Sequence, residues 1–103
     1  MLGEIAGTVV LKRDDGTQIA EGVDIILRDK NGKQMSSLKS EFDGFFVFPS
    51  LRMGTYTLEI PESYLEQYGI GSPIQTVVSL TGDQSIMDQV VLEINLENAA
   101  SVN

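Results

Sequence analysis

The sequence predicts an all-β fold, a seven-stranded sandwich with one short helix near residues 61–69. Three observations predict it. Apolar residues alternate at period two in several short runs, which places them on one face of a strand. Glycine-containing turns separate these runs at close intervals, as in sandwiches and barrels. Only one stretch changes to helical spacing, so parallel strands joined by helical crossovers are disfavoured.

The elements follow in order. Residues 3–13 read as a first strand with Ile5, Gly7, Val9 and Leu11 facing one way, ended by the turn residues Asp14-Asp15-Gly16. Gln18 to Glu21 read as a short connection, and Val23, Ile25 and Leu27 mark a second strand. Asn31-Gly32 is a hairpin signal, because both residues tolerate the positive φ of a type I′ turn. The third strand, Lys33 to Glu41, is polar and expected at an edge. Phe46 and Phe48 share a face of the fourth strand, and Pro49, which has no N–H for a ladder, marks its end. Leu51 anchors a short connection, Gly54 sets a turn, and Tyr56, Leu58 and Ile60 alternate along the fifth strand. Pro61, the cluster Tyr64, Leu65 and Tyr68, and Gly69 read as a two-turn helix with its stop, too short to stand without packing on the sandwich. Ile74, Val78 and Leu80 mark the sixth strand, and Ile86, Val90, Leu92, Ile94 and Leu96 the core face of the seventh. Residues 98–103 read as a flexible tail.

The series Gly44-x-Phe46-x-Phe48-x-x-Leu51-x-x-Gly54-x-Tyr56-x-Leu58 resembles the middle of carboxypeptidase regulatory-like domains, which are transthyretin-like (prealbumin-like) sandwiches. Ile5-x-Gly7-x-Val9 and Gly22-Val23-x-Ile25-x-Leu27-x-Asp29-x-x-Gly32 are similar to that family's first two strands. The resemblance covers most of the chain and implies an immunoglobulin-like, prealbumin-like sandwich with a short helix after the fifth strand. It implies an extracellular, cell-surface or periplasmic location, and it specifies no activity, because this fold serves many roles.

Length and composition narrow the function. One hundred and three residues make one domain, large enough to bury roughly 60–70% of its unfolded surface without a disulfide or metal. The initiating Met directly before the first strand suggests a domain cut from a larger protein. With neither Cys nor His, thiol chemistry and the commonest general base and zinc ligand are ruled out. The net charge is −8, and all seven Lys and Arg lie between Lys12 and Arg52. Such a surface repels nucleic acid and anionic lipid, and it keeps the isolated domain monomeric. No apolar run reaches membrane-spanning length.

Candidate chemistry is thin. Asp14-Asp15-Gly16, Asp29-Asn31-Gly32 and Glu41-Asp43-Gly44 carry oxygen ligands, but calcium needs six to eight converging, and these residues favour turns for backbone reasons. Lys12 and Asn95 invite comparison with collagen-adhesin B-type domains, distantly similar sandwiches crosslinked by a Lys–Asn isopeptide bond. That family takes its proton-shuttling acid from the position held here by Ile60, and Glu59 points to the opposite face, so no crosslink is expected. Transthyretin-like hydrolases of hydroxyisourate use histidines, an arginine and a C-terminal Tyr-Arg-Gly-Ser, whereas this chain has no His and ends Ala-Ser-Val-Asn. Ser36, Ser37 and Ser40 have no base to activate them. No catalytic residue, cofactor or metal ligand is assigned. Tyr64 and Tyr68 read as helix packing, not as a glycan platform.

One feature exceeds the needs of a core. Val10, Ile26, Phe45 and Val47, with Val77 and Val91, sit on the parity opposite the core residues. If contiguous they would form an interaction patch, and Val10 and Ile26 on adjacent strands would make an exposed stripe beside Ala6. The sequence therefore reads as a non-catalytic spacer or interaction module of a larger secreted or cell-envelope protein. Its partner would be a neighbouring domain or another protein. A specific binder of an assembly partner or glycan is the second reading, and a transthyretin-like hydrolase a distant third.

Overall fold

A computed structural model describes residues 1–97, so the tail expected at 98–103 lies outside the described residues. The elements are β1 (Leu2–Arg13), β2 (Gly16–Ile19), β3 (Asp24–Arg28), β4 (Gln34–Lys39), β5 (Phe45–Arg52), β6 (Gly54–Ile60), α1 (Glu62–Leu65), a 3₁₀ turn (Glu66–Tyr68), β7 (Ile74–Leu80) and β8 (Ile86–Asn95). Two four-stranded sheets form a sandwich. In the first, β1 is central. Its Leu2–Thr8 stretch pairs with β5 and its Val10–Arg13 stretch with β2, while β8 runs parallel to it along the other edge. The second sheet has the order β4-β3-β6-β7, all antiparallel. The chain crosses between the sheets after β2, β4, β5 and β7, so the parallel β1–β8 pair needs no helical crossover.

Among the described residues the strand count is eight where the sequence reading expects seven. The additional strand is β2, in the stretch read as turn and connection. Four residues are too few to display an alternation, and they are strand because the far end of β1 offers unpaired backbone groups that they satisfy. The third-strand expectation holds, since β4 is an edge strand of the second sheet. Asn31-Gly32 does not form a type I′ turn. Only Gly32 has positive φ, and its N–H bonds the Asp29 carbonyl at 3.0 Å, so the turn centres on Lys30–Asn31. The expected helix breaks into one α-helical turn and one 3₁₀ turn, ended at Gly69 with φ 76°.

The core lies between the sheets. Phe46, Phe48, Leu51, Val23, Ile25, Leu27, Tyr56, Leu58, Val78, Leu80, Leu92 and Ile94 are buried there as expected, with Ile5, Val9, Leu11, Ile60, Leu65 and Leu96. Ile74 and Val90 are only partly buried. Two bulges alter the sequence reading. In β5, two residues between register pairs (Pro49 and Ser50) oppose one of β1 (Glu4). The strand therefore passes through Pro49 instead of ending there, and Ser50 takes the left-handed φ of 59°. In β8, two residues between register pairs (Asp88 and Gln89) oppose one of β1 (Ala6). This resets parity, so Met87 packs on the core and Ile86 is exposed. The bulge brings the Val90 carbonyl over Gly7, where any Cβ would meet it and the Phe46 ring, so glycine is required there by space rather than by φ.

Candidate functional site

Of the four candidate patch residues, three share one surface. Val10 of β1 pairs with Ile19 of β2 and Glu93 of β8, and Thr8 pairs with Phe45 of β5 and Val91 of β8. Ala6 pairs with Val47. Because register partners point to the same side of a sheet, Val10, Phe45, Val47, Ile19 and Val91 lie together on the outer face of the first sheet. Phe45 is 40% exposed, Ile19 53% and Val91 59%, while Val10 and Val47 are half-buried. Ile26 is not part of this surface. It lies on β3 of the second sheet beside Glu59 and Ser37, so the stripe expected of Val10 and Ile26 does not form. Ala6, expected beside that stripe, is buried at 1% exposure.

Phe42 belongs with the patch and the sequence reading missed it. It stands at the tip of the turn Glu41-Phe42-Asp43-Gly44, 79% exposed. The Gly44 N–H bonds the Glu41 carbonyl at 2.8 Å, Gly44 has φ 80°, and the Asp43 carboxylate accepts the Phe45 N–H at 3.1 Å. Asp and Gly thus build the turn, and nothing in its geometry calls for Phe. That mismatch was the available signal. Ser40 fixes the turn in place. Its Oγ accepts the Val23 N–H at 2.9 Å and donates to the Ala20 carbonyl at 2.7 Å, while its backbone bonds Gly22 and Val23. The buried Ser40 is therefore a clamp between the end of β4 and the β2–β3 connection, and the turn that follows it brings Gly44 against Ile19 and Thr8. A crevice of about 290 Å³ continues the patch toward β4, lined by Leu38, Lys39, Glu41, Phe45, Phe46 and Val47.

The outer face of the second sheet is largely polar, apart from Val77, 67% exposed, and half-buried Ile26. Arg28 forks onto Glu59 with Nε and Nη2 both at 3.1 Å, and Gln75 donates to the same carboxylate at 2.7 Å. The Arg28 hydrogen bond, more than any other cause, holds the Glu59 carboxyl below its ordinary value, against the opposing effect of burial. Near the start of α1 a shallow depression of about 390 Å³ is lined by Asp24, Ile26, Ser37, Lys39, Pro61 and Ser63. Tyr64 and Tyr68 tilt against each other at 6.1 Å and rest on the core, as the helix-packing reading expects. Burial first, and the Tyr68 neighbour second, push the Tyr64 phenol up to about 12.

The remaining candidates fall as follows. Lys12 and Asn95 are register partners, but the Lys12 ammonium lies 3.4 Å from Glu97 on an open surface. Glu59 sits in the other sheet, engaged by Arg28. Asp29 is occupied within its own turn, its carboxylate accepting the N–H groups of Asn31 and Lys33. Among the described residues, no helix is long and apolar enough to cross a membrane.

No family model matches the chain, and no curated protein matches it. Solved structures do share its fold. The minor pilin of Streptococcus agalactiae aligns at a TM-score of 0.69 with 22% identity, over 90% of this chain and 44% of that one. A Pseudomonas aeruginosa protein provisionally assigned to carbohydrate binding aligns at 0.64 with 14% identity, over 90% and 88%. The 5-hydroxyisourate hydrolase of Klebsiella pneumoniae aligns at 0.60 with 16% identity, over 93% and 90%. The chain spans under half the length of that pilin, and at these identities the likeness is one of fold. That fold is the prealbumin-like sandwich, resembling collagen-adhesin and pilin domains.

Proposed function

We propose that the chain is a non-catalytic accessory module of a larger secreted or cell-envelope protein, and that it meets a protein partner through the outer face of its first sheet. One observation carries the reading. An apolar surface of Val10, Ile19, Phe45, Val47 and Val91 is extended by Phe42, a large aromatic held in water on a turn that does not need it. Single exposed apolar residues are ordinary, but a contiguous group with an aromatic finger has the composition of an interface centre. Two pilins and a pilus backbone protein contain this fold within longer chains, which supports this role without specifying it.

The test is site-specific photo-crosslinking in the organism that makes the protein. Benzoylphenylalanine at position 42 or 45 should yield adducts of discrete mass, and at position 77, on the second sheet, it should not. Equal adducts from all three positions, or none from 42 and 45, would remove the reading. The depression lined by Asp24, Ser37, Lys39 and Ser63 favours a second reading, a glycan or other polar ligand. Shifts of the Ser37 and Ser63 amides on titration with an oligosaccharide panel would support that one instead.

A further inference from the structure

We propose that the partner surface received by the first sheet's outer face is apolar at its centre and ringed by Lys and Arg. This rests on the docking reading above and names the partner's chemistry. The centre follows from Phe42, Phe45, Val10 and Val91. The rim follows from the acids around them. Glu93 is the register partner of Val10, Glu41 lines the crevice with Phe45 and Val47, and Asp43 follows Phe42 in its turn. Glu21 follows Ala20, whose carbonyl is held by the Ser40 hydroxyl beneath that turn. Glu21, Glu41, Asp43 and Glu93 are exposed, and among the described residues none has an ion-pair partner. Of the nearby cations, Lys39 lines the same crevice but is paired with Asp24, and Lys12, two positions beyond Val10 on β1, is paired with Glu97. Arg13 lies at the β1–β2 turn, past the patch.

An acidic ring around an apolar centre selects against most occupants. A second copy would set Glu93 and Glu41 against their own kind, on chains each carrying −8. An anionic lipid surface is repelled for the same reason. An added strand finds little to pair with on β5. The Glu41 backbone N–H donates to the Phe45 carbonyl at 2.8 Å, the Phe45 N–H donates to the Asp43 carboxylate, and Pro49 has no N–H. What remains is side-chain docking of a protein face whose cations complement the ring and whose apolar centre covers the phenylalanines.

The experiment uses the full chain, isotope-labelled, and three blocked octapeptides as probes: alternating Val and Lys, alternating Val and Glu, and alternating Ser and Lys. The Val–Lys peptide should shift the amides of Val10, Phe45 and Val91 and the Phe42 ring. Its affinity should fall about tenfold or more between roughly 50 and 500 mM salt. The Val–Glu peptide should not bind, and Ser–Lys should bind at least about tenfold more weakly for want of an apolar centre. Glu21→Gln, Glu41→Gln and Glu93→Gln together should weaken Val–Lys binding about tenfold. The control Glu62→Gln with Glu66→Gln should leave it unchanged. Equal binding of Val–Glu at the same residues would overturn the basic rim while keeping the docking face. Shifts scattered over the acidic surface, or equal weakening by the control, would reduce the effect to non-specific charge and overturn the proposal. Absence of binding by every peptide would overturn it too. Self-association that grows with salt and maps to Phe42 and Phe45 would name a second copy as the occupant instead.

Discussion

Phe46 and Phe48 on the inner face of the first sheet are 1% and 3% exposed, whereas Phe45, between Gly44 and Phe46, is 40% exposed on the outer face and Phe42 is 79% exposed just beyond it. Composition does not separate these two pairs; strand parity turns Phe45 outward, and Phe42 stands in the turn before β5. The inner pair meets at 6.3 Å with tilted rings over the glycine gap at Gly7 and is part of what holds the sandwich shut. Phe45 is left in water by its strand, and Phe42 by the turn that follows Ser40. The outer face of the second sheet offers a third state, in which half-buried Ile26 is bordered by the Arg28–Glu59–Gln75 network. A protein with no use for its first sheet's outer face had that solution available. The contrast teaches that stability accounts for the inner face and does not account for Phe42 and Phe45.

Breaking this comparison starts with the inner face. Phe46→Ala should cost about 3–5 kcal/mol in chemical denaturation, from lost transfer energy and the cavity left behind. An unchanged midpoint would mean that inner and outer faces have been exchanged. Gly7→Ala should cost about 1–3 kcal/mol, because its Cβ meets the Val90 carbonyl and overpacks the bulge. Full stability in this variant would show that β8 is free to slide off β1.

The second sheet sharpens the comparison through pH. The folded-state carboxyl of Glu59 is depressed, chiefly by the Arg28 hydrogen bond, so its contribution is fully present above the ordinary carboxylate value. It is lost as pH falls through the depressed folded value. Wild type should therefore lose more stability than Glu59→Gln between neutral pH and strongly acidic pH, read as the difference in urea midpoints. Parallel losses in both proteins would show that the network is not coupled to folding. The smallest expected effect is on the outer face, where Phe42→Ser with Phe45→Ser should change stability by no more than about 0.5 kcal/mol per site. A larger loss would assign the outer phenylalanines to the fold and leave docking without its main support.

Alternation and glycine punctuation made the sandwich, the second-sheet edge strand, most of the core and the Gly69 helix stop legible from sequence, because each is a local signal of period or φ. Val10, Phe45, Val47 and Val91 were likewise legible as surplus apolar residues. Which of them share a surface was not, since that depends on which strands pair, and pairing put Ile26 on the other sheet. The parity of Ile86 and Met87 and the continuation of β5 past Pro49 depend on bulges, which insert one residue and leave no fixed sequence mark. Ile19 was hidden in a strand too short to alternate. Phe42 was visible as a residue out of place in a turn, but only the tertiary structure leaves it 79% exposed on a turn that follows the Ser40 clamp. Sequence determines which residues prefer to leave water. The partners that cover them, or fail to, are set by contacts between residues far apart in the chain, and no local pattern encodes those.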